Sequence, residues 1–451
     1  MHVKALHKNS ELYSKLFSLV LPIAFQQFML AAVNASDALM LGLVDQDSLS
    51  AVSLAGQIQF VFNLFLAAMT IGASMLAAQY WGKGDRDAVE RILAMVLKIT
   101  APVSLAVFLA AELCPGLLMR IFTREEVLIA GGVQYLQVVG LSYLMTGISQ
   151  IFLCILKNSG QALKSTVISS FSVVLNIFLN AVFIFGLWIF PEMGIAGAAL
   201  ATVISKAAEL AWLLWESGRK DRIHLRPHYV AHTDPLLWKD FWKYTTPVLA
   251  NEMVWGCGFT MYSVIMGHLG SDAVAANSIA NIVKNLIACF CTGIGNGGGI
   301  IVGNELGQGN LETARSYGGS LCRIAIVSGA ISGLVLLALS PVILSVANLS
   351  AVSAGYLKGM LVICSYYMIG KSVNSTTIAG IFCAGGDSRF GLLCDTVVMW
   401  VIAVPLGLLC AFVLNLPVLA VYFVISLDEM VKLPAVYRHY KKYAWVRDLT
   451  R

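Results

Sequence analysis

Charge is what this sequence has least of. Only 12% of its residues are Asp, Glu, Lys or Arg, about half the share found in a water-soluble domain. Most of the surface is therefore not built to meet water. Chemical motifs are scarce as well. The ten cysteines form no CxxC pair, the spacing that metal sites and redox pairs favour. No HExxH or Ser/His/Asp pattern appears and the seven histidines fall mostly in loops, so no catalytic constellation marks an enzyme. No Walker lysine motif is present, which leaves an ion gradient rather than ATP as the direct energy source. The run Gly293-Ile-Gly-Asn-Gly-Gly-Gly299 follows a helical stretch, not a strand, so it reads as close packing or a bend rather than a nucleotide loop. The net charge of +5 is no nucleic-acid signal. No cofactor and no nucleic-acid partner are expected.

Long apolar runs are what the sequence has in abundance. Apolar residues make up 58% of the chain, in continuous stretches such as 16–41 and 324–344. A run of about 20 residues matches the bilayer core, and continuity rather than alternation selects helices over a barrel. Twelve spans are expected, at 16–41, 51–79, 91–113, 131–156, 164–189, 195–217, 241–267, 274–303, 318–346, 355–383, 389–412 and 417–437. The first, preceded by Lys4, Lys8 and Lys15, is too long for a signal-peptide core and reads as an uncleaved span. With both termini inside, the cytoplasmic segments hold most of the Lys and Arg, including Arg219, Lys220, Arg222 and Arg226. The opposite loops carry Asp45, Asp47, Glu112, Glu125, Glu126, Glu192 and Asp272, against Arg120 and Arg124 alone. The positive-inside rule then puts both termini of a multi-pass cell-membrane protein in the cytoplasm.

An internal repeat organises the chain. A shift of 225 residues aligns Pro22 with Pro247, Gly42 with Gly267 and Asp47 with Asp272. It aligns Ala51-Val-Ser-Leu-Ala55 with Ala276-Asn-Ser-Ile-Ala280, Gly72 with Gly297, and Gly82-Lys-Gly84 with Gly307-Gln-Gly309. Six spans per half is an even number, so the halves are parallel repeats about an axis along the membrane normal, with a site expected between them near the midplane. The expected organisation is an N-terminal lobe at 1–217, a cytoplasmic linker at 218–240 and a C-terminal lobe at 241–451.

The repeat also works as a filter. Residues shared by the halves read as scaffold, whereas polar residues in one half alone read as functional. Asp37, Asn176, Asn180 and Thr202 stand opposite Tyr262, Val401, Pro405 and Leu427. A carboxylate inside a span costs at least about 2.5–3.5 kcal/mol on insertion scales. With two asparagines four apart on one helical face, Asp37 offers an acid and several neutral oxygens, suited to a proton relay or to Na⁺. In the second half Glu252, Lys284 and Lys371 stand opposite Gln27, Gln59 and Thr146. Pairing of Glu252 with a lysine is the economical expectation, as a structural pair or as part of a substrate site. Asp395, Lys206 and Glu209 lie nearer span ends and are expected to reach water.

These residues resemble the multidrug and toxic compound extrusion (MATE) transporters of prokaryotic type. The resemblance rests on Pro22, on Asp37-Ala-Leu-Met-Leu-Gly42, on Leu49-Ser-Ala-Val-Ser-Leu-Ala55 and on Ala78-Gln-Tyr-Trp-Gly-Lys-Gly-Asp85. Further matches are Leu175-Asn-Ile-Phe-Leu-Asn180, Gly194-Ile-Ala-Gly-Ala-Ala-Leu-Ala-Thr202, Val302-Gly-Asn-Glu-Leu-Gly-Gln-Gly309 and Ala384-Gly-Gly-Asp-Ser-Arg389. It implies two six-helix lobes in a V shape and a secondary antiporter that exports amphipathic toxic or drug-like compounds in exchange for H⁺ or Na⁺ by alternating access. Asp37 matches the family's first-helix acid, Asn176 and Thr202 match first-lobe cation positions, and Glu252 resembles a second-lobe acid. Asn180 departs from the family by replacing a frequent aspartate, and Lys371 stands where some branches carry an acid. Lys284 and Lys371 also admit an alternative, a flippase or exporter of a lipid-linked or anionic substrate. The expected partners are a small organic substrate and membrane lipid, and the expected state is a monomer.

Overall fold

The computed structural model describes residues 2–44, 46–219, 222–347 and 349–450. Asp45 and Lys220, which entered the loop-charge argument, lie outside the described residues. Helices follow one another with no strand among the described residues: α1 (His2–Val44), α2 (Gln46–Lys83), α3 (Arg86–Leu113), α4 (Pro115–Arg120), α5 (Glu126–Asn158), α6 (Ala162–Phe185) and α7 (Gly194–Ser217). The short α8 (Pro227–Ala231) lies in the expected linker. Then come α9 (Pro235–Gly267), α10 (Ser271–Gly307), α11 (Leu311–Val346) and α12 (Ala351–Asn374), which runs on as a π-helix over Ser375–Phe382. The next span is α13 (Ser388–Asp395), a π segment Thr396–Ala403, α14 (Val404–Leu408) and a π segment Leu409–Val413. The last is α15 (Val418–Ile425) and α16 (Asp428–Tyr440).

Local chemistry places several of these boundaries. Asp85 caps α3 by accepting the Ala88 N–H at 2.9 Å, and Ser350 caps α12 through the Ser353 N–H at 3.1 Å, each satisfying a donor that the helix itself leaves open. Gly186 ends α6 at φ +64°, a left-handed position that glycine occupies without steric cost. The 225-residue shift carries α2 (46–83) onto 271–308 and α5 (126–158) onto 351–383, beside α10 and the α12 π-extended helix. The repeat therefore holds in the helix boundaries as well as in the residues.

Ten helices among the described residues are long and apolar enough to cross a membrane by length and composition. The two expected spans outside that set are 241–267 and 417–437. The helix covering the first also holds Lys239, Asp240, Lys243 and Glu252, and the second is broken at Ser426–Leu427 between α15 and α16.

Packing divides the chain into two compact units: residues 1–28, 78–84 and 242–451 form one, and residues 29–77 and 85–241 the other. Two first-half segments thus belong with the second half, a division that the repeat alone does not give. In the first unit Leu12, Leu16 and Val20 enter one apolar cluster with Ile294, Ile301, Leu306, Tyr317 and Trp445. Glycines make the approach close: a Cβ on Gly293 would lie 2.6 Å from the Ala24 Cβ, and one on Gly297 would lie 2.7 Å from a Val20 methyl. The glycine run is a packing surface. In the other unit Phe62, Leu66, Met119, Leu136, Tyr143 and Ala199 build a separate core.

Candidate functional site

In the unit 29–77 and 85–241, the four expected first-half residues form one connected chain. Asn180 Nδ2 donates to Asp37 Oδ1 at 2.5 Å and to Asn176 Oδ1 at 3.1 Å. Asn176 Nδ2 donates onward to Thr202 Oγ1 at 3.3 Å and Ser205 Oγ at 3.4 Å. Thr202 Oγ1 donates to the Ala198 carbonyl at 3.0 Å, and Ser205 Oγ to the Thr202 carbonyl at 3.0 Å. Helix α6 supplies both asparagines on one face, as their four-residue spacing requires, while α1 brings the acid and α7 the hydroxyls. Asn180 is fully buried and Asn176 nearly so, and Asp37 is half-buried.

One carboxylate therefore stands at the end of a neutral amide–hydroxyl chain. Asn180 Oδ1 is buried without a hydrogen-bond partner, and a buried acceptor left open is costly. The donor set suits a single positive charge at Asp37: a proton on the carboxylate, or a monovalent cation if the Asn180 oxygen turns toward it. In the orientation seen, the Asn180 amide presents N–H to the acid. Among the described residues no group of three or more His, Cys, Asp or Glu is placed to hold a metal ion.

Sequence reading missed Ser172 and Ser205. Ser172 Oγ donates to the Ser205 carbonyl at 3.0 Å, tying α6 to α7 beneath the asparagines. The signal was present: Ser172, Asn176 and Asn180 recur every four residues along one face of α6.

In the other unit the second-half residues are arranged differently from expectation. Lys371 does not bond Glu252; its Nζ lies 3.5 Å from Glu429 Oε1 and 5.6 Å from the Trp255 ring centroid. Lys284 stands 4.9 Å over the Tyr367 ring, a cation–π contact. The expected pairing is corrected because span twelve carries nearer carboxylates: Glu429 on α16 faces Lys371 and also receives Asn374 Nδ2 at 2.7 Å. Nor do the lesser candidates reach water freely. Glu209 is fully buried against Lys206 at 3.2 Å, and Asp395 is bound by Lys432 at 2.7 Å. Both lysines named for the lipid-linked or anionic-substrate alternative are engaged within the protein, and that alternative is not favoured.

Comparison with known proteins places this geometry in a family. The MatE family model matches residues 22–182 and again 247–409. The two matches begin 225 residues apart, the register of the repeat. The chain belongs to the MATE family. It is a multi-pass membrane transporter of two six-helix repeats. It is 22% identical to the "Uncharacterized transporter YisQ" of Bacillus subtilis, over 98% of this chain and 97% of that one. It is 28% identical to the "Probable multidrug resistance protein NorM" of Thermotoga maritima, over 67% of this chain and 65% of that one. Its fold matches the solved outward-facing conformation of a multidrug resistance MATE family transporter of the MOP superfamily. That match has a TM-score of 0.87 and 17% identity and covers 95% of each chain.

Proposed function

We propose that this MATE transporter exports amphipathic, drug-like organic compounds by secondary antiport, with H⁺ as the coupling ion and Asp37 as the residue that carries it. The observation that carries the reading is the Asp37–Asn180–Asn176–Thr202 chain, in which the acid is the sole ionisable member. One carboxylate within a span is neutralised by one proton, and a neutral site is far cheaper to move through a bilayer than a charged one. Protonation from outside removes the acceptor charge that Asn180 now serves, frees α1 to rearrange, and so releases the exported compound. Rocking of the repeats between two states provides the alternating access. The multidrug-resistance name of the NorM relative supports the substrate class. The Lys and Arg bias of the loops supports a cell-membrane protein with cytoplasmic termini.

The test is export of a fluorescent cationic dye from energised cells that express the full chain. Export that an H⁺ ionophore abolishes and that persists without Na⁺ is the expected result. Export that follows the Na⁺ gradient and ignores the ionophore would move the coupling ion to Na⁺ and require the Asn180 oxygen to turn toward Asp37.

A further inference from the structure

The two repeats differ in charge at one end. In the first half, where α3 and α6 start and α7 finishes, the cations are neutralised within the protein. Glu216 receives Lys164 at 2.6 Å, Arg222 at 3.2 Å and Arg219 at 3.6 Å. Glu90 receives Arg226 at 2.7 Å, and Asp87 receives Arg91 at 2.6 Å. Glu90 and Glu216 are nearly fully buried, and a buried carboxylate stays charged only with such partners.

In the second half the same register puts cations at both of those positions. The 225-residue shift sets Arg315 opposite Glu90 and Lys441 opposite Glu216, while Arg389 stands opposite Lys164. The ion pair Lys164–Glu216 of the first half is thus replaced by two like charges. The structure keeps the corresponding helix ends together. His439, near the end of α16, lies 2.7 Å from Asp387, just before α13, and stacks on Phe390 with ring centroids 3.9 Å apart. Arg389 precedes Phe390 and Arg438 precedes His439, so both guanidinium side chains start from helix ends held in contact. Arg315, at the start of α11, lies 4.0 Å over the Tyr443 ring, beside the same segment.

These cations lack carboxylate partners. Arg389, Arg438, Lys441 and Lys442 are all exposed, and among the described residues none has a carboxylate within ion-pair distance. The acids nearby are engaged elsewhere: Asp387 by His439, Glu312 by Arg315 at 3.5 Å, and Asp448 by the Thr450 N–H at 2.8 Å and hydroxyl at 2.7 Å. The cations also end exposed apolar faces. Leu393, Val397 and Trp400 follow Arg389 at helical spacing, and Val431 and Pro434 lead to Arg438 and Lys441 along α16. Tyr437 is 59% exposed, and the Lys441 Nζ lies 4.7 Å from its ring centroid. Aromatic and basic side chains beyond an apolar face mark the boundary between acyl chains and headgroups.

We propose that this end of the second half binds the phosphate of an anionic membrane phospholipid. Arg389, Arg438, Lys441 and Lys442 surround the headgroup, and the exposed faces of α13 and α16 meet the acyl chains. The lipid supplies the negative charge that Glu216 supplies in the first half. An arginine can present two parallel N–H groups to a phosphate, and a lysine adds a point charge. A zwitterionic lipid, whose headgroup carries its own cation, gains little there. The occupant is a resident lipid and not the exported compound, so the proposal is independent of the coupling ion and of the cargo.

The test is native mass spectrometry of the full chain, taken from equimolar phosphatidylglycerol and phosphatidylcholine into detergent, with the retained lipids counted. Phosphatidylglycerol is expected to be retained in preference. Arg389→Gln with Lys441→Gln should weaken that retention by about fivefold for each charge removed. Both side chains are exposed, so the changes leave the packing intact. Arg389→Lys with Lys441→Arg should keep the lipid. So should Arg91→Gln with Arg219→Gln, which takes the same charge from the first half. Equal retention of the two lipids would overturn the proposal. Equal losses in the two double-Gln variants would do so as well, by showing attraction to net charge alone. Displacement of phosphatidylglycerol by inorganic phosphate alone would also overturn it, by showing a free-anion site with no part for the acyl chains.

Discussion

Replacing Asp37 by Asn is expected to abolish energised export while leaving the folded protein in the membrane. Asparagine is close in shape to aspartate and can still meet the Asn180 amide, which now donates to Asp37 Oδ1, so the helix contacts survive. What is lost is the group whose charge changes with the proton gradient. Coupling between two ligands is typically worth about 1–3 kcal/mol, or roughly 5–150-fold in affinity. Without a titratable group that term disappears, and export should fall to the passive leak of the membrane. Dye efflux from energised cells, compared at equal membrane expression, reads the outcome. Full export by the variant would remove Asp37 from coupling and shift attention to Glu252.

The second large effect is expected where the repeats cross. Gly82 and Gly307 are equivalent under the 225-residue shift, as are Gln79 and Asn304 and Ala78 and Gly303. A Cβ on Gly307 would lie 1.9 Å from the Gln79 carbonyl oxygen, one on Gly82 2.1 Å from the Asn304 carbonyl oxygen, and one on Gly303 2.8 Å from the Ala78 Cβ. Each repeat thus lays its glycine against the other's backbone, a reciprocal crossing of the ends of α2 and α10. Gln79 is locked there, donating to the carbonyls of Ala384 at 2.7 Å and Arg447 at 3.1 Å and accepting the Leu449 N–H at 2.6 Å. Lys15 adds an ion pair to Glu305 at 2.9 Å. Overpacking a core position typically costs about 1–3 kcal/mol, and here the obstructing atoms are backbone. Gly307→Ala is therefore expected to force this crossing apart. Thermal unfolding of the purified full chain should show Gly307→Ala melting below the wild type, by the loss that such overpacking brings. An unchanged midpoint would show that the crossing tolerates a side chain.

Much of this architecture was legible in the residues. Continuous apolar runs announce helices in lipid because no other conformation satisfies the backbone there. The 225-residue register survives because paired glycines and prolines serve the same contacts in both halves. Asp37, Asn176, Asn180 and Thr202 were recognisable by asymmetry, each polar where its counterpart is not, except that Tyr262 opposite Asp37 is a phenol. Packing partners were less legible. A linear repeat fixes topology but not which helix end meets which, so the attachment of residues 1–28 to the second half appears only in three dimensions. The pairing of the lysines was hidden for the same reason: depth in a span does not tell which way a side chain turns. Asp428, Glu429 and Lys432 escaped because 417–437 reads as a continuous span, and the turn at Ser426–Leu427 contains neither Gly nor Pro to mark it.

The measurement that bears most directly on proton-coupled export is simultaneous recording of dye and proton flux in proteoliposomes holding the full chain in Na⁺-free buffer. An imposed proton gradient alone is expected to drive the dye against its own gradient, with protons moving the opposite way. Dye movement indifferent to that gradient, or unaccompanied by proton counterflow, would contradict it.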